Sequence, residues 1–163
     1  METLQVIIRE YTPEDRLAIE KCAFELQEDE KSRQPHIWKN PEEQFSRDYY
    51  EYVTKSVKEY EGKIFVAEID GEVAGHVVVI LNKDESPAYL LQKYGYILDL
   101  VVLREYQRRG IGNRLMVKAE EFVRSLGLEW MQLDVSTGNP AHDFYTNSGY
   151  REKDVRMEKK LGS

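Results

Sequence analysis

The chain reads as one α/β domain over residues 1–163, a single mixed sheet with helices on both faces. Three observations predict this. A length of 163 residues suits one domain with a full hydrophobic core. Strand and helix signals follow the order βααββ, then βα, βα and β, which one layered sheet accommodates. Asp70-Gly71 between two β-branched runs marks a tight hairpin, so at least one strand pair is antiparallel.

The elements follow from local chemistry. Leu4 to Arg9, with Val6, Ile7 and Ile8, predicts a first strand. Thr12-Pro13-Glu14-Asp15 starts a helix, with Thr as N-cap, Pro at the first position and acids in the first turn. That helix is expected to reach about Glu28, with a loop from Asp29 to Lys39. Asn40-Pro41-Glu42-Glu43 starts a second helix. Its stripe of Phe45, Tyr49, Tyr52, Val53, Val57 and Tyr60 runs to Gly62, an expected C-cap. Ile64 to Ile69 and Val73 to Leu81 are the hairpin strands. Tyr96 to Leu103 alternates little and reads as a strand buried on both faces. The helix from Asn113 to Leu126 has the clearest apolar face, and Gly127 closes it. Trp130 to Ser136 is a strand, Pro140 to Asn147 a short helix, and Val155 to Leu161 an expected last strand.

Composition narrows the function. No apolar run approaches the ~20 residues that cross a bilayer, and no signal segment is visible at the start. The single cysteine, Cys22, forms no internal disulfide and suits a reducing cytoplasm. A net charge of −7 offers no basic face for nucleic acid and favours cationic partners. Acidity that serves only solubility is the equal alternative. His36, His76 and His142 lack ligand spacing, so no metal site is expected, and His76 reads as a structural residue. Ser136 and Ser148 lack a neighbouring His/Asp arrangement, and Cys22 reads as packing.

Gln107-Arg108-Arg109-Gly110-Ile111-Gly112-Asn113 carries the first functional signal. It lies between a buried strand and an amphipathic helix. Backbone N–H groups at a helix N-terminus, with two arginines beside them, make a seat for a pyrophosphate. Gly110 and Gly112 allow backbone to approach a ligand. A plain strand-to-helix turn is the alternative. Neither a P-loop nor a dinucleotide fingerprint fits, because no Gly-Lys-Ser/Thr follows and the glycine spacing is wrong. A second segment, Asn139-Pro140-Ala141 with Phe144-Tyr145 and Gly149-Tyr150, follows downstream.

Leu100-Val101-Val102, the Gln107–Asn113 turn and this second segment together resemble, in order and spacing, the GNAT superfamily of N-acetyltransferases. The hairpin from Asp70 to Gly75 is similar as well, so the likeness spans nearly the whole chain. It implies the acyl-CoA N-acyltransferase fold, with a mostly antiparallel central sheet, and acetyl-CoA as cosubstrate. It further implies that Leu100, Val101 and Val102 hold the pantetheine arm by backbone. Arg108 to Asn113 would hold the pyrophosphate, Asn139 would bond the pantetheine, and Tyr145 would face the thioester sulfur as general acid. The N–H of Val101 or Val102 would polarise the thioester carbonyl. Asp99 interrupts an apolar strand and is expected to act as base, amine anchor or structural partner. Leu98 precedes it, where some polyamine acetyltransferases have a second acid. Tyr49, Tyr50, Glu51 and Tyr52 offer either an amine-binding wall or an ordinary solvated helix face.

The expected acceptor is a primary amine of a small molecule, polyamine, aminoglycoside, peptide or protein. A non-catalytic CoA-binding module, or a homodimer with an empty turn, is the rival reading.

Overall fold

The computed structural model describes residues 5–162. Leu4, at the start of the expected first strand, lies outside them. Strands β1 (Val6–Glu10), β2 (Lys63–Ile69), β3 (Glu72–Lys83), β4 (Lys93–Val102) and β5 (Met131–Leu133) form one sheet in sequence order. The first three pairings are antiparallel and β4–β5 is parallel. Helices α1 (Arg16–Arg33) and α2 (Glu43–Glu59) pack on one face. Helix α3 (Ile111–Ser125) packs on the other, and α4 (Ala141–Asn147) lies against its end. The mixed sheet with helices on both faces is as the sequence predicts.

Alternation along β3 shows how one strand feeds two cores. Val77, Val79 and Leu81 face α3, with Leu115, Met116, Ala119 and Val123. Val78 and Ile80 face α1 and α2, with Ile19, Tyr50, Val53 and Val57. Both faces are apolar, so the strand reads as a continuous buried run. The β2–β3 hairpin turns through Asp70 (φ 51°) and Gly71 (φ 83°). Both central residues have positive φ, the geometry that matches strand twist. At the start of α1, Thr12 forms a capping box in which its N–H donates to the Asp15 carboxylate at 2.8 Å.

Four expectations need correction. Helix α1 continues to Arg33, past the expected loop boundary at Asp29. Its buried positions, Ile19, Cys22, Ala23, Gln27 and Glu30, keep helical spacing, but the last two are polar and hide the period. Helix α2 closes through Glu61 (φ 51°) rather than through Gly62. Gly62 serves space instead: a Cβ there would run into the Val79 carbonyl. Strand β5 covers only Met131–Leu133 of the expected Trp130–Ser136. The expected strand Val155–Leu161 does not form. Val155, Met157 and Leu161 stay 79%, 88% and 84% exposed. Three apolar side chains among Arg156, Glu158, Lys159 and Lys160 bury too little to hold an unpaired strand.

Candidate functional site

A cleft opens where β4 and β5 separate. Their pairing ends at Ile97 with Leu133. At that point β4 bulges. Val78 pairs with Asp99 and Val79 with Ile97, so Leu98 is the extra residue. Beyond the bulge, β4 keeps β3 on one side and, among the described residues, has no strand on the other. The Leu103 N–H donates to the Ala74 carbonyl at 2.9 Å. Backbone groups alternate sides along a strand. Val101 therefore turns its N–H toward β3, whereas Leu100 and Val102 turn theirs toward the cleft. This moves the expected carbonyl-polarising N–H away from Val101. The Val102 carbonyl accepts a bond from Gln107 Nε2 at 2.9 Å, which ties the strand end to the turn.

The turn itself is a sharp entry into α3. Arg108 (φ 62°) and Gly110 (φ 75°) are both left-handed, and Gly110 is the N-cap. Among the described residues no side chain caps this helix. The Arg114 N–H is the first to bond back, to the Gly110 carbonyl at 3.2 Å. The N–H groups of Ile111, Gly112 and Asn113 come before it and lack intrahelical partners by geometry. Together with the helix dipole they attract an anion. A Cβ on Gly110 would meet nothing within 4 Å, so its role is conformational. Gly112 lies in ordinary contact range of Phe144 and Val102. Arg109 folds back, with Nη2 donating to the Glu105 carbonyl at 3.2 Å and its guanidinium over the Tyr106 ring. Arg108 is exposed and in no ion pair among the described residues.

Asp99 on β4 lies near enough to Tyr145 of α4 for its charge to act on the phenol, and Asn139 precedes α4. The Asp99 carboxyl has no hydrogen-bond partner among the described residues. It keeps partial access to the cleft, but its deep setting, with the Glu30 charge beside it, pushes it up to about 8. Tyr145 packs edge-on against Phe144 and Tyr150. Burial and then the Asp99 charge push its phenol up to about 12, so the hydroxyl stays protonated near neutrality. The Asn139 Oδ1 accepts the Ala141 N–H at 2.9 Å, which fixes its amide at the start of α4. Its Nδ2 turns toward Glu30 Oε1 at 3.5 Å.

Glu30 is the residue that sequence reasoning missed. It lies on the last turn of α1, in the stretch expected to be loop. The helical spacing from Ile19 through Gln27 was the available signal. Other contacts close the same wall: Ser136 Oγ lies 3.5 Å from Gln34 Oε1, and Tyr96 Oη donates to Asp134 at 2.9 Å.

The α2 residues divide. Tyr50 is buried beneath the Arg16 guanidinium, and Glu51 pairs with Arg16 at 3.0 Å, so both are structural. Tyr52 is 55% exposed. Tyr49 packs against the cluster of Ile19, Val53 and Ile80, and its buried hydroxyl has no partner among the described residues. Cys22 is fully buried and its thiol is pushed up to about 12 by burial, which fits packing. His76 is fully buried too, but both ring nitrogens lack partners among the described residues, and burial lowers it to about 4.

A bulged strand parts from its neighbour, and an uncapped glycine turn leads into α3. The chain belongs to the acetyltransferase (GNAT) family, whose model matches residues 22–150. An N-alpha-acetyltransferase of Sulfurisphaera tokodaii is 33% identical over 113 residues, 65% of this chain and 66% of that protein. The matched stretch is thus just under two thirds of that relative's length. Among solved structures, a mutant Bacillus halodurans protein superposes with a TM-score of 0.83 at 22% identity, covering 95% of this chain and 99% of that one. An aminoglycoside N-acetyltransferase in complex with CoA gives a TM-score of 0.72 at 15% identity, covering 99% and 98%. At these identities the structural likeness is one of fold.

Proposed function

We propose that this chain is an acetyl-CoA-dependent N-acetyltransferase acting on a cationic primary amine. One observation carries the reading. The open edge of β4 beyond Leu98 joins an anion-attracting helix N-terminus at one end to Asp99 and Tyr145 at the other.

The residues divide the work accordingly. The N–H groups of Ile111, Gly112 and Asn113, with Arg108, hold the pyrophosphate, and Gly110 gives the turn its shape. Leu100 and Val102 bond the pantetheine arm by backbone, and Asn139 meets it from α4. The Leu100 N–H, nearest Asp99, polarises the thioester carbonyl. Asp99 accepts the proton that the acceptor ammonium must lose before its nitrogen attacks that carbonyl. A base whose affinity for protons lies near the working pH is efficient at this. The C–N bond forms as the C–S bond breaks, and the Tyr145 hydroxyl donates its proton to the departing sulfur. The relatives named above act, by their names, on α-amino groups and on aminoglycosides, both of which bear protonated amines. The acidic net charge of −7 suits such acceptors.

The test is thiol release from acetyl-CoA with a panel of peptides with free N-termini, polyamines, aminoglycosides and acidic amines. Release with cationic members alone is expected. Release with only acidic or neutral amines would refute the acceptor class. Tight CoA binding without release in any arm would favour a non-catalytic module.

A further inference from the structure

We infer that Asp134, held by the Tyr96 hydroxyl, receives a second positive charge on the acceptor, so that a compact diamine is preferred over a monoamine. The inference rests on the acetyltransferase reading above and narrows its acceptor class.

The placement follows from the sheet register. Tyr96 pairs with Ile80, and Asp99 pairs with Val78. Val78 and Ile80 face α1 and α2, so Tyr96 and Asp99 face them as well. In a regular strand, residues three apart point to opposite faces. The extra residue, Leu98, is what turns Asp99 onto the Tyr96 side. Gln132 of β5 pairs with Tyr96, and the last pair is Leu133 with Ile97. Alternation then returns Asp134, the next residue, to the face of Tyr96. One side of the fork therefore carries two carboxylates, one on β4 and one just past β5. Strands lie about 4.8 Å apart and rise about 3.3 Å per residue, so the two Cα atoms are within roughly 10 Å of each other.

Asp134 is open to solvent, and it is held in place. Tyr96 Oη donates to its Oδ2 at 2.9 Å. Burial and then that hydrogen bond push the Tyr96 phenol up, so it remains a donor near neutrality. Among the described residues, Oδ1 of Asp134 has no partner and Asp134 joins no ion pair. The charge of Arg156, on the exposed tail, reaches the Tyr96 phenol without pairing with Asp134. A fixed carboxylate with one free oxygen thus stands at the rim of the cleft that holds Asp99. An ammonium group has three N–H donors and one positive charge. One amine of a diamine gives up its proton near Asp99 and reacts. The other stays charged and donates to Asp134.

A purely structural Asp134 would only tie Tyr96 to the end of β5. Steady-state kinetics of Asp134→Asn, read by thiol release, separates the two roles. Asparagine still offers Tyr96 an acceptor oxygen, so the tie survives while the charge is lost. The probes are 1,4-diaminobutane and butan-1-amine, which differ by the second amine. Wild-type protein should have the higher kcat/KM for the diamine. In Asp134→Asn that preference should fall about fivefold through the diamine KM, the scale of a solvent-exposed ion pair. The butan-1-amine constants should change less than twofold. Asp134→Glu should recover part of the preference. Equal use of both amines by wild-type protein, or an equal change in both for Asp134→Asn, overturns the inference in favour of the tie. Failure of wild-type protein to turn over either amine while still binding CoA overturns it as well. Failure of wild-type protein to bind CoA overturns the acetyltransferase reading itself, and this inference with it.

Discussion

The two ends of the cleft are built by opposite means. At the proposed phosphate end, seven consecutive residues, Gln107 to Asn113, make the feature chiefly from backbone: a left-handed glycine, an uncapped helix start and one side-chain tie to Val102. At the proposed acceptor end, Asp99 comes from β4, Asn139 from the loop before α4, and Tyr145 from α4. The first end is contiguous and depends on conformation. The second is assembled by tertiary packing and depends on charge. Damage at the first should therefore remove binding, whereas damage at the second should alter rate, pH response and acceptor preference.

Tyr145→Phe is expected to have the largest effect at the acceptor end. It keeps the ring and its packing against Phe144 and Tyr150 but removes the proton donor. We expect kcat to fall on the order of 10²-fold with acetyl-CoA affinity little changed. Stopped-flow or steady-state kinetics with calorimetry checks this, and equal activity would assign the donor role to water or another group.

Asp99→Asn comes next, and it sharpens the comparison through pH. With Asp99 raised to about 8, kcat/KM should climb with pH through that region in wild-type protein. The variant should lose that limb. Stability adds an independent sign. A carboxyl raised on folding is protonated in the folded state at pH values where the unfolded chain is already ionised. Its burial therefore costs nothing below the ordinary value of 3.8, and the cost grows as pH rises toward about 8. Asp99→Asn should melt above wild type at pH 8, with the gap closing toward pH 4. A variant that melts below wild type at pH 8 would point to a structural partner for Asp99.

His76, on β3, gives the opposite sign. Burial lowers it to about 4 from 6.5, so the folded state holds it neutral. Its contribution is present above pH 6.5 and is lost as pH falls toward 4, a loss of roughly 3 kcal/mol when complete. Chemical denaturation at pH 7 and pH 4.5, for wild type and His76→Leu, reads this difference. The smallest effect is ionic. For a cationic acceptor, kcat/KM should fall about two- to threefold between low salt and ~0.15 M, where the Debye length is about 8 Å.

What the sequence revealed tracks the same division. The turn was legible because strand, glycine and amphipathic helix are neighbours in the chain, and local geometry alone makes the anion seat. Asp99 stood out as an acid within an apolar strand. Glu30 did not, because Gln27 and Glu30 are polar residues on a buried helix face and break the hydrophobic period that marks such a face. The choice among Leu100, Val101 and Val102 also needed the ladder, since side alternation follows from the β3 register and the bulge at Leu98. The tail was misread for a related reason. Alternation at Val155 and Met157 signals a strand only if a partner edge is available, and that is a tertiary fact.

The most direct test of the account is calorimetric titration of CoA into wild-type protein and Gly110→Glu. The substitution places a carboxylate at the pyrophosphate seat, on a residue with φ 75° and open space around its Cα. Strain from the left-handed backbone should cost about 1–2 kcal/mol, a modest drop in melting temperature. The account predicts clear CoA binding to wild-type protein and none measurable to the folded variant. Equal affinity in the two proteins would contradict it.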